Sequence, residues 1–168
     1  MGFFDNFKIK LLVKKINVNS NKRDIKVLPV EKYHSILILF DQEELLIKEQ
    51  LESIFESSKI SMLYRRTESD LPVEEKKYIY SYNKSDLGFG KIKRERLLGL
   101  LYTNFDLVID FSTDITEFNY FVKKSKSTLK IGDLHSTKNY LYDLLVDRGN
   151  SDSDYIDNIK LQINILSQ

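Results

Sequence analysis

Residues 105–114, Phe-Asp-Leu-Val-Ile-Asp-Phe-Ser-Thr-Asp, set the narrowest limit on what this chain can fold into. Leu107, Val108 and Ile109 are apolar at consecutive positions, so a strand made from them needs apolar cover on both faces. Asp110, Ser112, Thr113 and Asp114 follow at once, and a helical pattern starts from them. A strand buried on both faces that runs into a helix belongs in a parallel sheet.

The rest of the chain repeats that alternation. Ser35–Phe40 is a second continuous apolar run. Asp41 follows it, with Glu44 three residues on, a capping-box spacing with the acids where a helix dipole favours them. Ile47, Leu51, Ile54 and Phe55 then recur at helical spacing. Strands are expected at Ile60–Tyr64 and Tyr78–Tyr82, with a polar loop at 67–76 between them. A basic helix is expected from about Lys91 to Tyr102, then the strand at 105–111. Asp114 and Glu117 form a second capping box, and Ile115, Phe118, Phe121 and Val122 form its helix's inward stripe. A short strand at Leu129–Ile131 stops at Gly132, and Leu141–Val146 reads as another. The last helix starts near Ser151–Ser153 and carries Ile156, Ile159, Ile163 and Leu166 inward. Strands alternating with helices predict βαβ units. The expected fold is α/β: a single three-layer Rossmann-like, flavodoxin-like domain over 29–168, with a mostly parallel sheet. The runs at 35–40 and 105–111 should lie side by side at its centre.

Residues 1–28 read as a basic N-terminal extension and linker. Its first part is ambiguous: Phe3, Phe7 and Leu11 suit a helix, whereas Phe7, Ile9, Leu11 and Val13 alternating with lysines suit a strand. We expect a helix. Residues 1–26 hold seven Lys/Arg and two acids, about +5, which leaves 19 basic and 23 acidic residues, about −4, for the remainder. A basic arm on a mildly acidic body points to an anionic surface. Without cysteine the chain has no disulfide, thiolate nucleophile or thiolate metal site. No run approaches the roughly 20 apolar residues of a membrane span, and no secretory signal is evident. The expected location is the cytoplasm, either free or peripheral to a membrane or ribosome.

In open α/β sheets, ligands bind beyond the carboxyl ends of the strands at the point where strand order reverses. That position should collect Asp41, Asp110, Ser112 and Asp114, flanked by Arg65 and Arg66. Paired carboxylates suit acid–base or metal chemistry. Against that, Asp41 and Asp114 are adequate as helix caps, and Asp110 as an acceptor for amides of the next loop. No catalytic residue is therefore expected; Asp41, Asp110 and Ser112 are the candidates if one exists. Ser112 lacks the Gly-x-Ser-x-Gly elbow, and His34 and His135 have no evident partner. The turn after Phe40 is acidic and glycine-free, which disfavours a pyrophosphate, and no Walker lysine motif exists. Neither a cofactor nor a metal is expected.

The loop Gly88-Phe89-Gly90 offers exposed amides before the expected helix. Lys91, Lys93, Arg94 and Arg96 lie next to it, and Arg65 and Arg66 add to the charge. With Lys8, Lys10, Lys14 and Lys15 of the arm, these are the candidate anion- or nucleic-acid-binding residues. The alternative is a solvated helix face with Glu95 in its midst. Tyr78, Tyr80 and Tyr82 suit sheet packing better than base stacking, and the usual RNA-binding fingerprints are absent.

The basic N-terminal segment, Ile36–Phe40, Asn104–Asp110, Leu129-Lys130-Ile131-Gly132 and Tyr142–Asp147 resemble a family of short Bacteroidota proteins known as a domain of unknown function, DUF6913. That resemblance implies a bacterial, cytoplasmic α/β protein and brings no catalytic residues with it. The strand Phe105–Asp110 followed by Lys130-Ile131-Gly132 is also similar to the N-terminal domain of heptosyltransferase-type glycosyltransferases. Those enzymes need a second Rossmann-like domain for the nucleotide sugar, which this chain leaves no room for, so lost activity is the expectation.

These readings favour a non-catalytic binding or adaptor module that docks by its arm and basic loop onto a protein complex, ribosome or RNA, or an anionic membrane surface. The alternative is a small enzyme or degenerate glycosyltransferase-like domain with a phosphorylated or sugar ligand at the strand carboxyl ends. A third is a homo-oligomer joined through the last helix, where Leu161 and Ile165 lie off the main stripe.

Overall fold

The computed structural model describes residues 23–41, 45–66, 77–88, 91–112 and 116–168. Its strands are β1 (Ser35–Phe40), β2 (Lys59–Arg65), β3 (Ile79–Tyr82), β4 (Leu87–Gly88), β5 (Lys91–Ile92), β6 (Asn104–Asp110), β7 (Lys126–Asp133) and β8 (Leu144–Val146). The helices among these residues are α1 (Leu45–Ile54), α2 (Glu95–Tyr102), α3 (Thr116–Lys124) and α4 (Asp152–Leu166).

Six strands form one all-parallel sheet in the order β3-β2-β1-β6-β7-β8. With the β4–β5 hairpin set aside, this is the strand order of the doubly wound dinucleotide-binding fold. The chain moves outward from β1 to β3, returns to place β6 beside β1, and moves outward again to β8. The two apolar runs therefore meet at the centre, with Ile36 opposite Leu107 and Leu39 opposite Asp110. Asp106 of β6 fixes that meeting, because its Oδ2 accepts the amides of His34 and Ser35 at 2.8 and 3.0 Å.

Alternation along the central strands divides the core. Ile36, Ile38, Phe40, Leu107 and Ile109 face Ile47 and Leu51 of α1 and Tyr155, Ile159 and Ile163 of α4. Leu37, Leu39 and Val108 face Leu97, Leu100 and Leu101 of α2 and Phe118, Phe121 and Val122 of α3. The sheet is thus the middle of three layers, as its strand pattern requires.

Four expectations change. The basic helix starts at Glu95 and not near Lys91, because Leu87 and Gly88 pair with Ile92 and Lys91 in a hairpin. The short strand before Gly132 extends over Lys126–Asp133, because its polar start pairs with Asn104 and Phe105. In the 141–146 segment only Leu144–Val146 is strand, and a 3-10 turn over Asn139–Leu141 precedes it. Leu166 is 50% exposed, and Tyr155 completes the buried face of α4 in its place. Ser151 caps α4 as its position suggested, accepting the Asp154 amide at 3.1 Å.

Residues 23–28, at the end of the basic extension, lie against the domain. Arg23 donates to Ser127 O at 3.1 Å and to Asp143 Oδ1 at 2.5 Å. Val27 and Leu28 pack on the core. The expected helix at 3–16, with Lys8, Lys10, Lys14 and Lys15, lies outside the described residues, as do Glu44 and Asp114 of the two capping boxes and the 67–76 loop.

Candidate functional site

The strand order reverses between β1 and β6, so the crevice beyond their carboxyl ends is the place to look first. Asp110 ends β6 there and is 2% exposed. Its Oδ1 accepts the Ser112 amide at 2.8 Å and the Ser112 hydroxyl at 2.6 Å. Its Oδ2 accepts the Tyr142 hydroxyl at 2.7 Å. Burial pushes this carboxyl above the usual carboxylate range, while the bonds from Ser112 and Tyr142 and the charge of Arg148 oppose that rise. The carboxylate closes the turn after β6 and ties it to the segment before β8. It accepts the amide of Ser112 in the next loop, the kind of structural role its position allowed, and Ser112 Oγ donates its proton into the same network.

Tyr142 reaches Asp110 across Gly132 of β7. A Cβ on Gly132 would stand 2.5 Å from Cγ and Cδ2 of the Tyr142 ring, so glycine is what lets the ring lie there. On the other sheet face, Tyr155 of α4 packs edge-on against Phe111, with centroids 5.1 Å apart. Its ring stands 5.9 Å from the Arg148 guanidinium, which pairs with Asp152.

Asp41, after β1, makes a partly exposed ion pair with Arg65 at the end of β2, 3.1 Å between Oδ1 and Nη2. Behind them Tyr82 of β3 is fully buried, and among the described residues its hydroxyl has no hydrogen-bond partner. Burial raises its pKa well above the ordinary tyrosine value; the charges of Glu117, Asp41 and Asp110 push the same way and Arg65 opposes them. Among the described residues, no group of three His, Asp or Glu side chains comes together as a metal site.

The basic candidates gather at the opposite edge strand. Arg94 Nη1 donates to Ser81 O at 3.1 Å and stands 3.8 Å from Asp86. Arg96 Nη2 donates to Ile79 O at 3.2 Å and its guanidinium lies 4.8 Å over the Tyr80 ring. The Arg66 amide donates to Tyr82 O at 2.7 Å. Arg65, Arg66, Arg94 and Arg96 therefore do come together around β3, but Arg94 and Arg96 cover its outer carbonyls. Lys93 is exposed. Lys91 pairs with Gly88 in the hairpin and the helix begins only at Glu95, so Gly88 does not lie at the helix N-terminus.

A family model described as a family of unknown function (DUF6913) matches residues 8–166. The chain belongs to that family. No curated protein and no solved structure matches it. The match takes in every strand and helix of the sheet.

In this DUF6913 protein, sequence reasoning missed Tyr142, Tyr155 and Arg148 at the crevice and placed Tyr82 in sheet packing alone. Glu117 lay in view only as a cap. Tyr142 and Gly132 carry no joint signal in a single sequence, because a glycine between apolar residues looks like a strand end. Lys130 was likewise invisible. It is 4% exposed, its ammonium donates to Val122 O near the end of α3, and burial, then the charge of Arg23, pushes its pKa down to about 8 against the pull of Asp143. No helix among the described residues is long and apolar enough to cross a membrane.

Proposed function

We propose that this DUF6913 chain is a non-catalytic Rossmann-like module that docks onto a larger assembly through its basic N-terminal arm. The observation that carries this reading is the occupancy of Asp110. Both of its oxygens hold internal donors, and the nearest hydroxyl, that of Ser112, is one of those donors. A general base must be within reach of the substrate's proton, and Asp110 is 2% exposed with three internal donors around its two oxygens. We therefore read Asp110 and Ser112 as parts of the turn after β6, and the charge difference between residues 1–26 and the remainder of the sequence as the feature that favours docking. The partner is an anionic assembly in the cytoplasm of a Bacteroidota cell, with ribosomal RNA, a membrane surface and an acidic protein surface as its possible forms.

The test uses the full chain. Lys8, Lys10, Lys14 and Lys15 are changed together to Glu, and partners are recovered from native cells and identified by mass spectrometry and RNA sequencing. Loss of a stable partner supports the reading and identifies the assembly. An unchanged partner list refutes the role of the arm.

A second reading has one observation in its favour. The buried, unpartnered Tyr82 hydroxyl behind Asp41 and Arg65 is a feature that a polar ligand would satisfy. A sugar or phosphorylated ligand there, on a degenerate glycosyltransferase-like domain, would raise stability on binding, and loss of that gain in Tyr82→Phe would support it.

A further inference from the structure

At the amino-terminal ends of β2 and β3, away from the crevice, an open groove of about 460 Å³ runs beside α1. One wall is a single row of α1 and the turn after it: Lys48, Glu52 and Glu56, spaced four residues apart. The other wall is Lys59 at the start of β2 with Lys77 and Tyr78 before β3. The size is that of small-molecule sites in general.

Tyr78 is the centre of this groove. Its φ is +66°, and it is the only non-glycine residue with positive φ among the described residues. A tyrosine in the left-handed region is held against its own steric preference. Its carbonyl accepts the Met62 amide at 2.8 Å, which ties the residue to β2. Two ammonium groups stand against that ring, Lys59 at 4.4 Å and Lys77 at 5.1 Å from its centroid. Neither makes an ion pair among the described residues. Like charges gathered at one ring repel each other, and an anion between them relieves that repulsion and gains charge-assisted hydrogen bonds. The facing wall has the opposite character. Lys48 is paired with Glu52 at 3.1 Å, and Glu56 is exposed.

We infer that this groove binds a small phosphorylated ligand bearing hydroxyl or amine donors. The phosphate lies between Lys59 and Lys77 beside Tyr78, and the donors face Glu52 and Glu56. Phosphate fits better than a lone carboxylate because it offers enough oxygens to meet both ammonium groups at once. The helix-side carboxylates then select a ligand with donors over a bare anion.

The test is a titration of the full-length protein, labelled with nitrogen-15, with ribose 5-phosphate and separately with inorganic phosphate, followed by amide NMR. The expected result is saturable shifts at Lys59, Lys77 and Tyr78, with ribose 5-phosphate binding tighter than phosphate. Lys59→Met with Lys77→Met, which keeps the aliphatic stems, should weaken both ligands on the order of tenfold or more. Glu56→Gln should weaken ribose 5-phosphate and leave phosphate unchanged. Shifts that are absent, that fall elsewhere, or that survive in the double variant would overturn the assignment. The wild-type map decides the matter even if the double variant does not fold.

Discussion

Replacing Gly132 by Ala tests how the crevice is held together. The added Cβ would stand 2.5 Å from two atoms of the Tyr142 ring, where carbon atoms rest at about 3.5–4.0 Å. The ring must therefore retreat by about 1 Å or more. Its hydroxyl is 2.7 Å from Asp110 Oδ2, so a retreat of that size along the bond takes it beyond hydrogen-bonding distance. Overpacking contributes about 1–3 kcal/mol, and loss of a hydrogen bond to a charged group about 1.5–3 kcal/mol. Gly132→Ala should then destabilise by about 2.5–6 kcal/mol, a large share of the 5–15 kcal/mol typical of a domain. Tyr142→Phe should show only the hydrogen-bond part. In a Tyr142→Ala background the obstacle is gone, and Gly132→Ala should cost less than about 1 kcal/mol. Urea unfolding of the wild type and the four variants measures all of these. An equal cost of Gly132→Ala in both backgrounds would refute the account, because the strain would then not come from the ring.

Three further outcomes are expected. Lys130 releases its proton at a lower pH in the folded state than in the unfolded chain, so folding stability should rise as pH climbs from about 8 towards 10.5, by up to about 3 kcal/mol, and Lys130→Met should lack that rise. Parallel stability curves for the two proteins between pH 7 and 10 would contradict it. Asp143 accepts both Arg23 and the Lys130 amide, at 2.5 and 2.9 Å, so Asp143→Ala should cost about 1–3 kcal/mol more than Arg23→Ala by urea unfolding; equal costs would show that the amide bond does not matter. Changing Arg94 and Arg96 together to Ala uncovers the carbonyls of Ser81 and Ile79 on the edge strand, and self-association should appear by light scattering at high concentration. A variant that stays monomeric there would show that the arginines do not guard the edge.

The architecture was readable where burial is two-sided. Ile36–Phe40 and Leu107–Ile109 are apolar at every position because helices cover both faces, and a continuous apolar run is a signal that survives without context. Their adjacency followed from the same reasoning. The helix expected at Lys91 failed because two glycines followed by lysines read alike before a helix and in a hairpin; only the pairing of Leu87 with Ile92 distinguishes them. Strand β7 was read short because its first residues are polar, and their partners on β6 are what make them strand. The site was less readable than the fold. The spacing brought Asp41, Asp110 and Ser112 to the right end of the sheet, yet whether a carboxylate faces a substrate or a tyrosine is decided by residues 32 positions away. The arginines show the same limit. Arg94 and Arg96 read as a surface charge for a partner, and their guanidinium groups are turned on the carbonyls of their own sheet.

The central seam between β1 and β6 also sets a schedule for synthesis. β1 ends at Phe40 and its inner neighbour ends at Asp110, 70 residues later. At about 5–20 residues per second, roughly 4–14 seconds separate their completion on the ribosome. During that interval β1 can pair with β2 on one side, while its other side is an apolar strand edge with no neighbour. The Asp106 carboxylate that receives the amides of His34 and Ser35 arrives on the same late strand, so until then the start of β1 is held from the β2 side alone. The nascent half-sheet is thus the stage at which this protein most needs protection from its neighbours.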